Sequence, residues 1–460
     1  MPGTPAAQRP RPKRGEELEV TIDSLAHGGA GVGRAEGFVV FVRGVVPGDR
    51  VRARVEKAKR SFAEARLVEL VEASPDRLEP RSSHPGAPWQ VLPYERQLEE
   101  KQRQVGDALT RLGGFEQPPV EAIVPAVEPW RYRNTVEYSF GESEQGELTL
   151  GFHRAGRWDV IDPIAEDVLA SERVDAVREA VLTWCREEGL SPYDRHDHSG
   201  FLRNLVVREG RRTGQVQARL VTSIGSFRHD ELAAALPADS VLWTRAAGVA
   251  ETTRGGKTRT LKGASTLEEE LDLGATRLRF KVSPDAFFQT NTEMAERLYA
   301  TATELAGLSG RERVFDLYCG IGTIALALAL DASEVVGVES VERAVADAIA
   351  NAKLNGVDNA RFYAGDVRTA MRPLIEQEGT PDALVVDPPR AGLSQKVVRR
   401  VLEAEAARIV YVSCNPTTLA PNARQLVDAG YTLRTVRPVD MFPQTPHIEC
   451  VALLERSTRT

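Results

Sequence analysis

Hydrophobic residues recur at every second position in the first part of the chain, a pattern typical of short β-strands. The segments VRARVEK (51–57) and EARLVEL (64–70) both show this period of two. Glycine-rich turns separate such segments, as in HGGAGVG (27–33) and VPGD (46–49). Five short strands over residues 16–73 therefore predict a small closed β-barrel of the OB type.

The spacing changes after the barrel. Asp76–Leu92 is irregular and rich in proline, which indicates a linker. Residues 93–112 predict a helix whose apolar side carries Leu98, Val105, Leu109 and Leu112. Strands and helices then mix up to residue 280, including a hairpin over 206–221 with basic residues at its turn. We therefore expect residues 74–280 to hold the linker, this helix and a central α+β domain.

Strands and helices alternate regularly from residue 281 to 460. Buried-type strands such as RVFDLYC (313–319) and RIVYVS (408–413) are separated by amphipathic helices, and two final strands close the domain. Such repetition predicts an α/β fold with a parallel, doubly wound, Rossmann-like sheet. Ligands of these sheets bind at the carboxyl ends of the strands. The residues predicted at those ends are Tyr318, Glu339, Asp366, Asp387 and Cys414.

Composition and charge fit a protein of several globular domains. The 460 residues are 42% hydrophobic and 27% charged, with a net charge of −7. That total argues against a simple nucleic-acid coat protein. Seven Lys or Arg against two Asp or Glu between Arg43 and Arg60, however, concentrate positive charge on one part of the barrel. This pattern favours contact with a phosphate backbone, and Arg254–Lys262 forms a second basic stretch.

The chain ends and the cysteines indicate the compartment. Residues 1–15 form a basic, proline-rich arm that we expect to be disordered, without the apolar core of a secretory signal. No apolar run is long enough to span a bilayer. The four cysteines show no metal-ligand spacing. We therefore expect a cytoplasmic monomer that contacts no membrane and needs no obligate protein partner.

The turn DLYCGIGT (316–323) predicts a nucleotide-type pocket. Gly320 and Gly322 lie between a strand and a helix, where glycine lets the backbone approach a ligand closely. The NAD fingerprint requires a third glycine where Ala325 stands. S-adenosylmethionine (SAM) has no phosphate to cradle, and carboxylates can bind its ribose and amino groups. Acids on successive strand ends therefore favour SAM: Glu339, Asp366 and Asp387.

Cys414 in SCNP (413–416) follows a strand beside the motif DPPR (387–390), at the predicted mouth of the pocket. This position makes it the candidate nucleophile. Arg390 stands where amino-group methyltransferases carry an aromatic residue, so that chemistry is disfavoured. Glu449 begins the last strand near the same edge and is a candidate proton acceptor. The other thiols are expected to be inert core residues: Cys185, Cys319 and Cys450.

Five motifs in order resemble those of the RNA 5-methyluridine methyltransferases, SAM-dependent enzymes that methylate uracil C5 in tRNA or rRNA. The motifs are FFQTN (287–291), DLYCGIGT, DPPR, SCNP and DMFPQTPHIE (440–449). Residues 16–73 resemble the TRAM domain, an RNA-binding barrel, and WRYRNTVEYSFG (130–141) resembles the family's central domain. The resemblance covers nearly the whole chain after residue 15.

The resemblance implies structured RNA, rRNA or tRNA, as the partner and SAM as the cofactor. Cys414 would add to C6 of the uracil and Glu449 would remove the C5 proton. The family often has Asn where Thr323 stands, so that contact is a departure. The residues expected at the cofactor are Gln289, Tyr318, Gly320, Gly322, Thr323, Glu339, Asp366 and Asp387.

The chain departs from the resemblance at a metal centre. Many TRAM-bearing bacterial members hold an iron–sulfur cluster on three cysteines after the TRAM domain and a fourth one later. Residues 79–95 contain no cysteine, and neither does DPIAEDVLA (162–170), near Asp167. The sequence therefore predicts no iron–sulfur cluster and no metal site. We expect packing through Trp89 and Pro88 to hold this region.

Two other functions are compatible with the fold. An RNA cytosine-C5 methyltransferase also uses a cysteine, but it would need a second cysteine near the pocket, where this chain has DPPR. A catalytically silent RNA-binding factor could keep the SAM fold. Cys414 and Glu449 argue against that second alternative.

Overall fold

The N-terminal strands form a closed five-stranded barrel in a computed structural model that describes residues 11–246, 248, 252–274 and 276–457. The strands close in the order β1-β2-β3-β5-β4. Their bounds are β1 Glu17–Leu25, β2 Gly31–Ala35, β3 Phe38–Arg43, β4 Arg50–Ala58 and β5 Phe62–Glu72. Alternation along β4 buries Val51, Ala53 and Val55 inside the barrel. The predicted barrel is confirmed.

Only part of the predicted basic arm over 1–15 can be compared with the structure, because residues 1–10 lie outside the described residues. Residues 11–15 lie along the barrel. There the amide of Gly15 donates to the carbonyl of Val55 at 2.8 Å, and Pro12 is buried. The expected disorder is therefore wrong for residues 11–15.

The predicted helix after the linker is α1, Tyr94–Arg111. Its buried face differs from the prediction. Val105 and Leu109 are buried, but Leu98 is only partly buried and Leu112 is 54% exposed. The side chains that α1 buries toward the barrel and the final loop are largely polar: Gln97, Glu100, Lys101 and Gln104.

The central domain is a seven-stranded sheet in the order β12-β11-β10-β9-β6-β7-β8, with helices on one face. Its elements are β6 Thr135–Glu142, β7 Leu148–His153, β8 Ile161–Pro163, α2 Glu172–Glu187, β9 Leu202–Glu209, β10 Val216–Thr222, α3 His229–Ala235, β11 Ser240–Arg245 and β12 Lys257–Lys262. A two-stranded ribbon follows: β13 Leu267–Asp272 and β14 Arg277–Val282. The predicted hairpin is β9–β10.

The C-terminal domain has a second seven-stranded sheet, in the order β17-β16-β15-β18-β19-β21-β20. Its elements are α4 Thr292–Ala306, β15 Arg313–Leu317, α5 Thr323–Ala329, β16 Glu334–Glu339, α6 Glu342–Leu354, β17 Ala360–Ala364, α7 Val367–Glu378, β18 Ala383–Val386, α8 Gln395–Glu403, β19 Arg408–Ser413, α9 Pro416–Asp428, β20 Tyr431–Val439 and β21 Glu449–Arg456.

Helices cover both faces of this sheet, which confirms the doubly wound arrangement. α4, α5 and α6 pack on one face and α7, α8 and α9 on the other. The prediction of a parallel sheet is wrong for one strand, β21, which is inserted between β19 and β20. β21 runs antiparallel to both β19 and β20, because a short loop rather than a crossover helix joins β20 to β21.

Across the described ranges, each helix is too short or too polar to span a bilayer.

Candidate active site

Five parallel strands end along one edge of the C-terminal sheet, and the predicted pocket residues lie there. Along each strand, alternate side chains point to the same face. Asp316 and Asp387 each follow by two positions, and Glu339 by four, a valine of the core shared with α4, α5 and α6: Val314, Val385 and Val335. The three acids therefore face the same side of the sheet.

The turn after β15 is open where a ligand can approach it. Tyr318 adopts a left-handed conformation with φ 70°, and its amide donates to the Val338 carbonyl at 2.8 Å. A Cβ added to Gly320 would meet nothing within 4 Å, whereas one on Gly322 would lie 3.2 Å from the Ala348 side chain. Gly320 therefore leaves space for a ligand, and Gly322 allows close packing of α6.

Asp316 forms the floor of the pocket. It is fully buried, and neither carboxylate oxygen has a hydrogen-bond partner in the described part of the chain. Burial and the charge of Asp387 raise the pKa of Asp316 to about 8, and burial raises the pKa of Asp387 to about 7. Buried carboxylates without partners are costly. The floor is therefore suited to a cationic ligand.

Glu339 and Asp366 differ in how free their carboxylates are. Glu339 accepts hydrogen bonds from the amides of Val341 at 2.9 Å and Gly320 at 3.3 Å, so it lies against the glycine turn. Asp366 caps α7 by accepting from the amide of Arg368 at 2.8 Å. The Arg368 guanidinium also binds this carboxylate and lowers its pKa. Asp366 is therefore already paired with a cation, whereas the donors to Glu339 are neutral backbone amides.

The far wall of the pocket comes from the central domain and α4. The Asn134 side chain donates to the carbonyl of Gln289 at 2.9 Å and fixes the buried Gln289 at the pocket. Thr323, at the start of α5, hydrogen-bonds with the buried hydroxyl of Tyr299. Burial raises the pKa of Tyr299, and the nearby carboxylates raise it further: Asp387, Asp316 and Glu449.

Strand register brings Cys414 and Glu449 together. Ser413 on β19 pairs with Cys450 on antiparallel β21, so one further step sets Cys414 opposite Glu449. Asn415 then caps α9 by accepting from the Thr417 amide at 3.0 Å. The half-buried thiol therefore lies at the turn between a strand and a helix N-terminus.

The electrostatic surroundings keep protons on both groups. Burial and the charges of Glu449 and Asp387 raise the pKa of Cys414 to about 11, against the opposing charge of Arg390. Burial and Asp387 also raise the pKa of Glu449 well above its usual range. Titratable groups shifted this far cluster at functional sites.

The remaining thiols lie in the cores, where they were expected. Cys185 is buried among the helices and strands of the central domain, and Cys319 and Cys450 lie on opposite faces of the C-terminal sheet. Burial raises the pKa of all three. A fully buried thiol cannot be approached by a substrate, and this burial distinguishes the three from the half-buried Cys414.

Comparisons with known proteins place the chain in a family. A family profile described as tRNA (Uracil-5-)-methyltransferase matches residues 230–457, and the TRAM domain profile matches residues 11–68. An RNA methyltransferase of Halalkalibacterium halodurans is 38% identical over 452 residues, covering 96% of this chain and 97% of its own. The chain belongs to the tRNA (uracil-5-)-methyltransferase family.

A solved structure supports the same assignment for this uracil-C5 methyltransferase. The Pyrococcus abyssi tRNA (uracil-54, C5)-methyltransferase, in complex with S-adenosyl-L-homocysteine, is 30% identical with a TM-score of 0.78. The match covers 95% of this chain and 100% of the other. A second RNA methyltransferase, from Gloeobacter violaceus, is 40% identical over 460 residues, with 96% of this chain and 97% of that protein covered. The enzyme is a SAM-dependent RNA methyltransferase of uracil C5.

A polar network lies where the family's cluster cysteines would stand in this methyltransferase. His84 Nε2 is 3.0 Å from Asp167 Oδ1, and the hydroxyl of Tyr138 donates to Asp167 Oδ2 at 2.8 Å. Trp89 packs in a separate buried cluster, as expected, but Pro88 is exposed. The prediction that Pro88 helps to pack this region is therefore wrong, and the sequence did not indicate the role of His84. The absence of a cluster stays a prediction.

Three of the seven basic residues between Arg43 and Arg60 are paired with glutamates on the barrel surface. The three arginines lie on β4 between glutamates of β1 and β5. The ion pairs are Arg50 with Glu19 and Glu72, Arg52 with Glu17 and Glu69, and Arg54 with Glu17. The hairpin arginines Arg211 and Arg212 are likewise paired, with Glu293 and Glu296.

Two residues of the site were missed by the sequence reasoning. Asp316 carries a detectable signal, since it is an acid inside an otherwise apolar strand. Tyr299 carries none, because a tyrosine at a buried helix position looks like ordinary core.

Proposed function

We propose that this enzyme methylates C5 of a uridine in structured tRNA or rRNA through a covalent bond between Cys414 and C6, with Glu449 as the base. The observation that carries the proposal is the register that sets Cys414 opposite Glu449 at the edge of an acid-floored pocket. The chemistry of a thiol and a carboxylate supports these two roles, and so does the resemblance of the motifs that carry Cys414 and Glu449.

The pocket residues fit SAM. Bound SAM supplies a methyl group on a positively charged sulfonium. The unpartnered carboxylate of Asp316 and the raised pKa of Asp387 favour a ligand with cationic groups. Glu339, at the end of β16, is suited to accept ribose hydroxyls, and the space over Gly320 leaves room for close approach. Gln289 and Tyr318 would line the same pocket.

The residue types match the steps of uracil methylation. Uracil C5 is a poor nucleophile until a thiolate adds to C6, when the electrons of the C5–C6 double bond move toward O4. C5 would then form its bond to the methyl carbon as the carbon–sulfur bond of the sulfonium breaks, with S-adenosylhomocysteine as the leaving group. The Glu449 carboxylate takes the proton from C5, the double bond re-forms, and Cys414 leaves as a thiolate. The target base must leave its stack to reach this thiol.

The free enzyme holds the protons that this chemistry must remove. With a pKa raised to about 11, Cys414 is a thiol at neutral pH, and burial shifts the pKa of Glu449 upward, toward its protonated form. Positive charge brought near them lowers both pKa values, and Arg390 already acts in that direction. We therefore expect the nucleophile to be activated only when the ligands are bound.

The relatives indicate which class of RNA to test first as the substrate. The Pyrococcus abyssi protein is named for uridine 54 of tRNA, which makes tRNA the first RNA to test. Ribosomal RNA is the second, since the TRAM barrel suits a large folded substrate.

Covalent trapping tests the proposal. Transcripts of tRNA and rRNA containing 5-fluorouridine should form an adduct with the wild-type enzyme and SAM, because fluorine at C5 blocks the final proton removal. Cys414→Ala should form no adduct and should lose at least about 10⁴-fold in turnover. Glu449→Gln should form an adduct with ordinary uridine RNA that resolves slowly. Nucleoside mass spectrometry reads the product, and 5-methylcytidine instead of 5-methyluridine would overturn the proposal.

A further inference from the structure

Four basic side chains from different domains meet at the loop before Glu449, where the charges of three of them act on the fourth, His447. We call His27, Arg133, Arg390 and His447 the basic collar. Arg390 ends the DPPR motif, and its carbonyl accepts from the Asn415 side chain at 3.1 Å, directly beside Cys414. His447 is two residues before Glu449, and its amide donates to the Thr445 hydroxyl at 3.2 Å. These two residues belong to the catalytic domain.

The barrel brings His27 to the same place. His27 begins the β1–β2 turn, and a Cβ added to Gly29 in this turn would lie 3.0 Å from Pro446. The barrel is anchored there through α1, since the Leu25 amide donates to Glu100 at 3.1 Å. The turn therefore lies on the loop that carries His447 and Glu449.

Arg133 reaches the collar from the central domain. Its amide donates to the Leu169 carbonyl at 2.8 Å, and its backbone forms a β-bridge with Asn291, next to the cofactor motif. Its Nε is buried without a hydrogen-bond partner among the described residues. The backbone of Arg133 is thus fixed while part of its guanidinium is unsatisfied, which is costly unless a ligand accepts from it.

Among the described residues, the positive charge of the collar is not held in ion pairs. None of its four side chains forms an ion pair with an acid over the ranges that the structure describes. Burial and the charges of Arg390, Arg133, Lys101 and His27 lower the pKa of His447 to about 4. Burial and Arg390 also lower the pKa of His27. The two arginines therefore dominate the field at the mouth of the pocket.

We propose that the basic collar binds the phosphodiester groups next to the uridine that enters the active site. This inference rests on the proposed function and deepens it by naming the RNA contact. Unpaired arginines at a partly desolvated cleft attract anions strongly, and RNA presents a phosphate at every nucleotide. Contributions from all three domains suit an extended ligand, and Arg390 and His27 are exposed to it.

The SAM carboxylate is a second possible anion, so the experiment separates the two sources. RNA binding is measured as a function of KCl concentration for wild type, Arg390→Gln and Arg133→Gln. The probe is the RNA trapped above, or an unmodified tRNA transcript if none is trapped. Each variant should weaken binding and reduce the slope of log K against log [KCl] by about 0.7–0.9, the value for one lost phosphate contact. Arg390→Lys should keep the slope.

The matched control is Arg52→Gln on the barrel, an arginine that is already paired. It should leave the slope unchanged. Isothermal titration with SAM alone should give the wild-type affinity for both collar variants. Weaker SAM binding with an unchanged RNA slope would assign the collar to the cofactor and overturn the proposal. Unchanged slopes for both variants would also overturn it, whereas a missing 5-fluorouridine adduct would contradict only the proposed function.

Discussion

The outer face of the barrel and the mouth of the active site hold their arginines in opposite ways. On the barrel, Arg50, Arg52 and Arg54 lie between rows of glutamates at ion-pair distance. At the mouth, Arg133 and Arg390 have no ion-pair partner in the described part of the chain. The arginines of β4 therefore present almost no net positive charge to an approaching RNA. The two arginines of the collar do present theirs.

This difference shows that pairing, rather than the count of basic residues, decides where an anion binds. Exposed ion pairs add little to stability, but they cancel the field that an incoming phosphate would meet. Arg43, Lys57, Lys59 and Arg60 are exposed and unpaired among the described residues, so RNA contact by the barrel is expected at these four side chains. The net charge of −7 is compatible with RNA binding for the same reason.

A third arrangement, a buried pair, connects the two regions and gives the largest expected effect. Lys101 of α1 is fully buried, with its ammonium 2.5 Å from Asp440 and 3.0 Å from the Phe442 carbonyl. Asp440→Asn leaves this cation buried without its partner, which costs about 3–5 kcal/mol of unfolding free energy. Because the loop after Asp440 carries His447 and Glu449, RNA affinity and turnover should fall with stability. Denaturant unfolding and the KCl series measure both.

Tyr94→Phe is the matched control for that variant. The Tyr94 hydroxyl donates to the other oxygen of Asp440 at 2.8 Å and accepts from the Ala126 amide at 2.7 Å, so its loss removes two hydrogen bonds but keeps the ion pair. The expected cost is about 2 kcal/mol. If Asp440→Asn cost no more than Tyr94→Phe, the buried pair would not hold the barrel and the loop in place.

The acids below the collar give the second effect, with the opposite sign. The pKa of Asp316 is raised to about 8, so the folded protein binds a proton that the unfolded chain releases. This group therefore destabilises the ligand-free fold as pH rises from about 4 to 8. At pH 8, Asp316→Asn should raise the free energy of unfolding of the ligand-free enzyme by an amount on the order of a few kcal/mol and raise its Tm accordingly, with hardly any effect at pH 4. It should also lose the Tm increase caused by SAM.

Asp366→Asn serves as the control of opposite sign. Arg368 lowers the pKa of Asp366, so this carboxylate stabilises the fold above its unfolded pKa and loses that effect as pH falls. The variant should lower the Tm at pH 8. Differential scanning fluorimetry measures the Tm of both variants against pH. Equal profiles would show that a cationic partner does not change how these two carboxylates affect stability.

The location of the site was predictable, whereas the pairing of its charges was not. Tyr318, Glu339, Asp387 and Cys414 were expected at one edge because carboxyl ends of parallel strands meet there. Register then explains why Glu449, far along the chain, reaches Cys414. Ion pairs depend on which strands become neighbours across a barrel, and a single sequence does not contain that information.

The helix α1 shows the same limit in the core. Its leucines predicted an apolar face, but the helix buries Gln97 and Lys101 because the polar backbone of the final loop lies against it. Gln97 accepts from the Gln444 amide at 2.9 Å and donates to the Gln444 side chain at 2.8 Å. Polar burial of this kind follows from the partner surface, so periodicity alone gave the helix and missed its buried face.

The smallest effect is a gain, and it tests the comparison most directly. Glu17 accepts from Arg54 at 2.6 Å and lies 3.6 Å from Arg52. Glu17→Gln removes the offsetting charge while both arginines stay in place. If ion pairs with glutamates are what keeps these arginines from binding RNA, this variant should bind RNA two- to three-fold more tightly at low salt. The slope of log K against log [KCl] should become steeper by less than the value for one phosphate contact. The Tm should hardly change, since the pair is exposed. In the double variant Glu17→Gln/Arg54→Gln the slope should return to the wild-type value. A slope that stayed steep there would mean that losing the acid alone strengthens binding, and the paired arginines would then play no part.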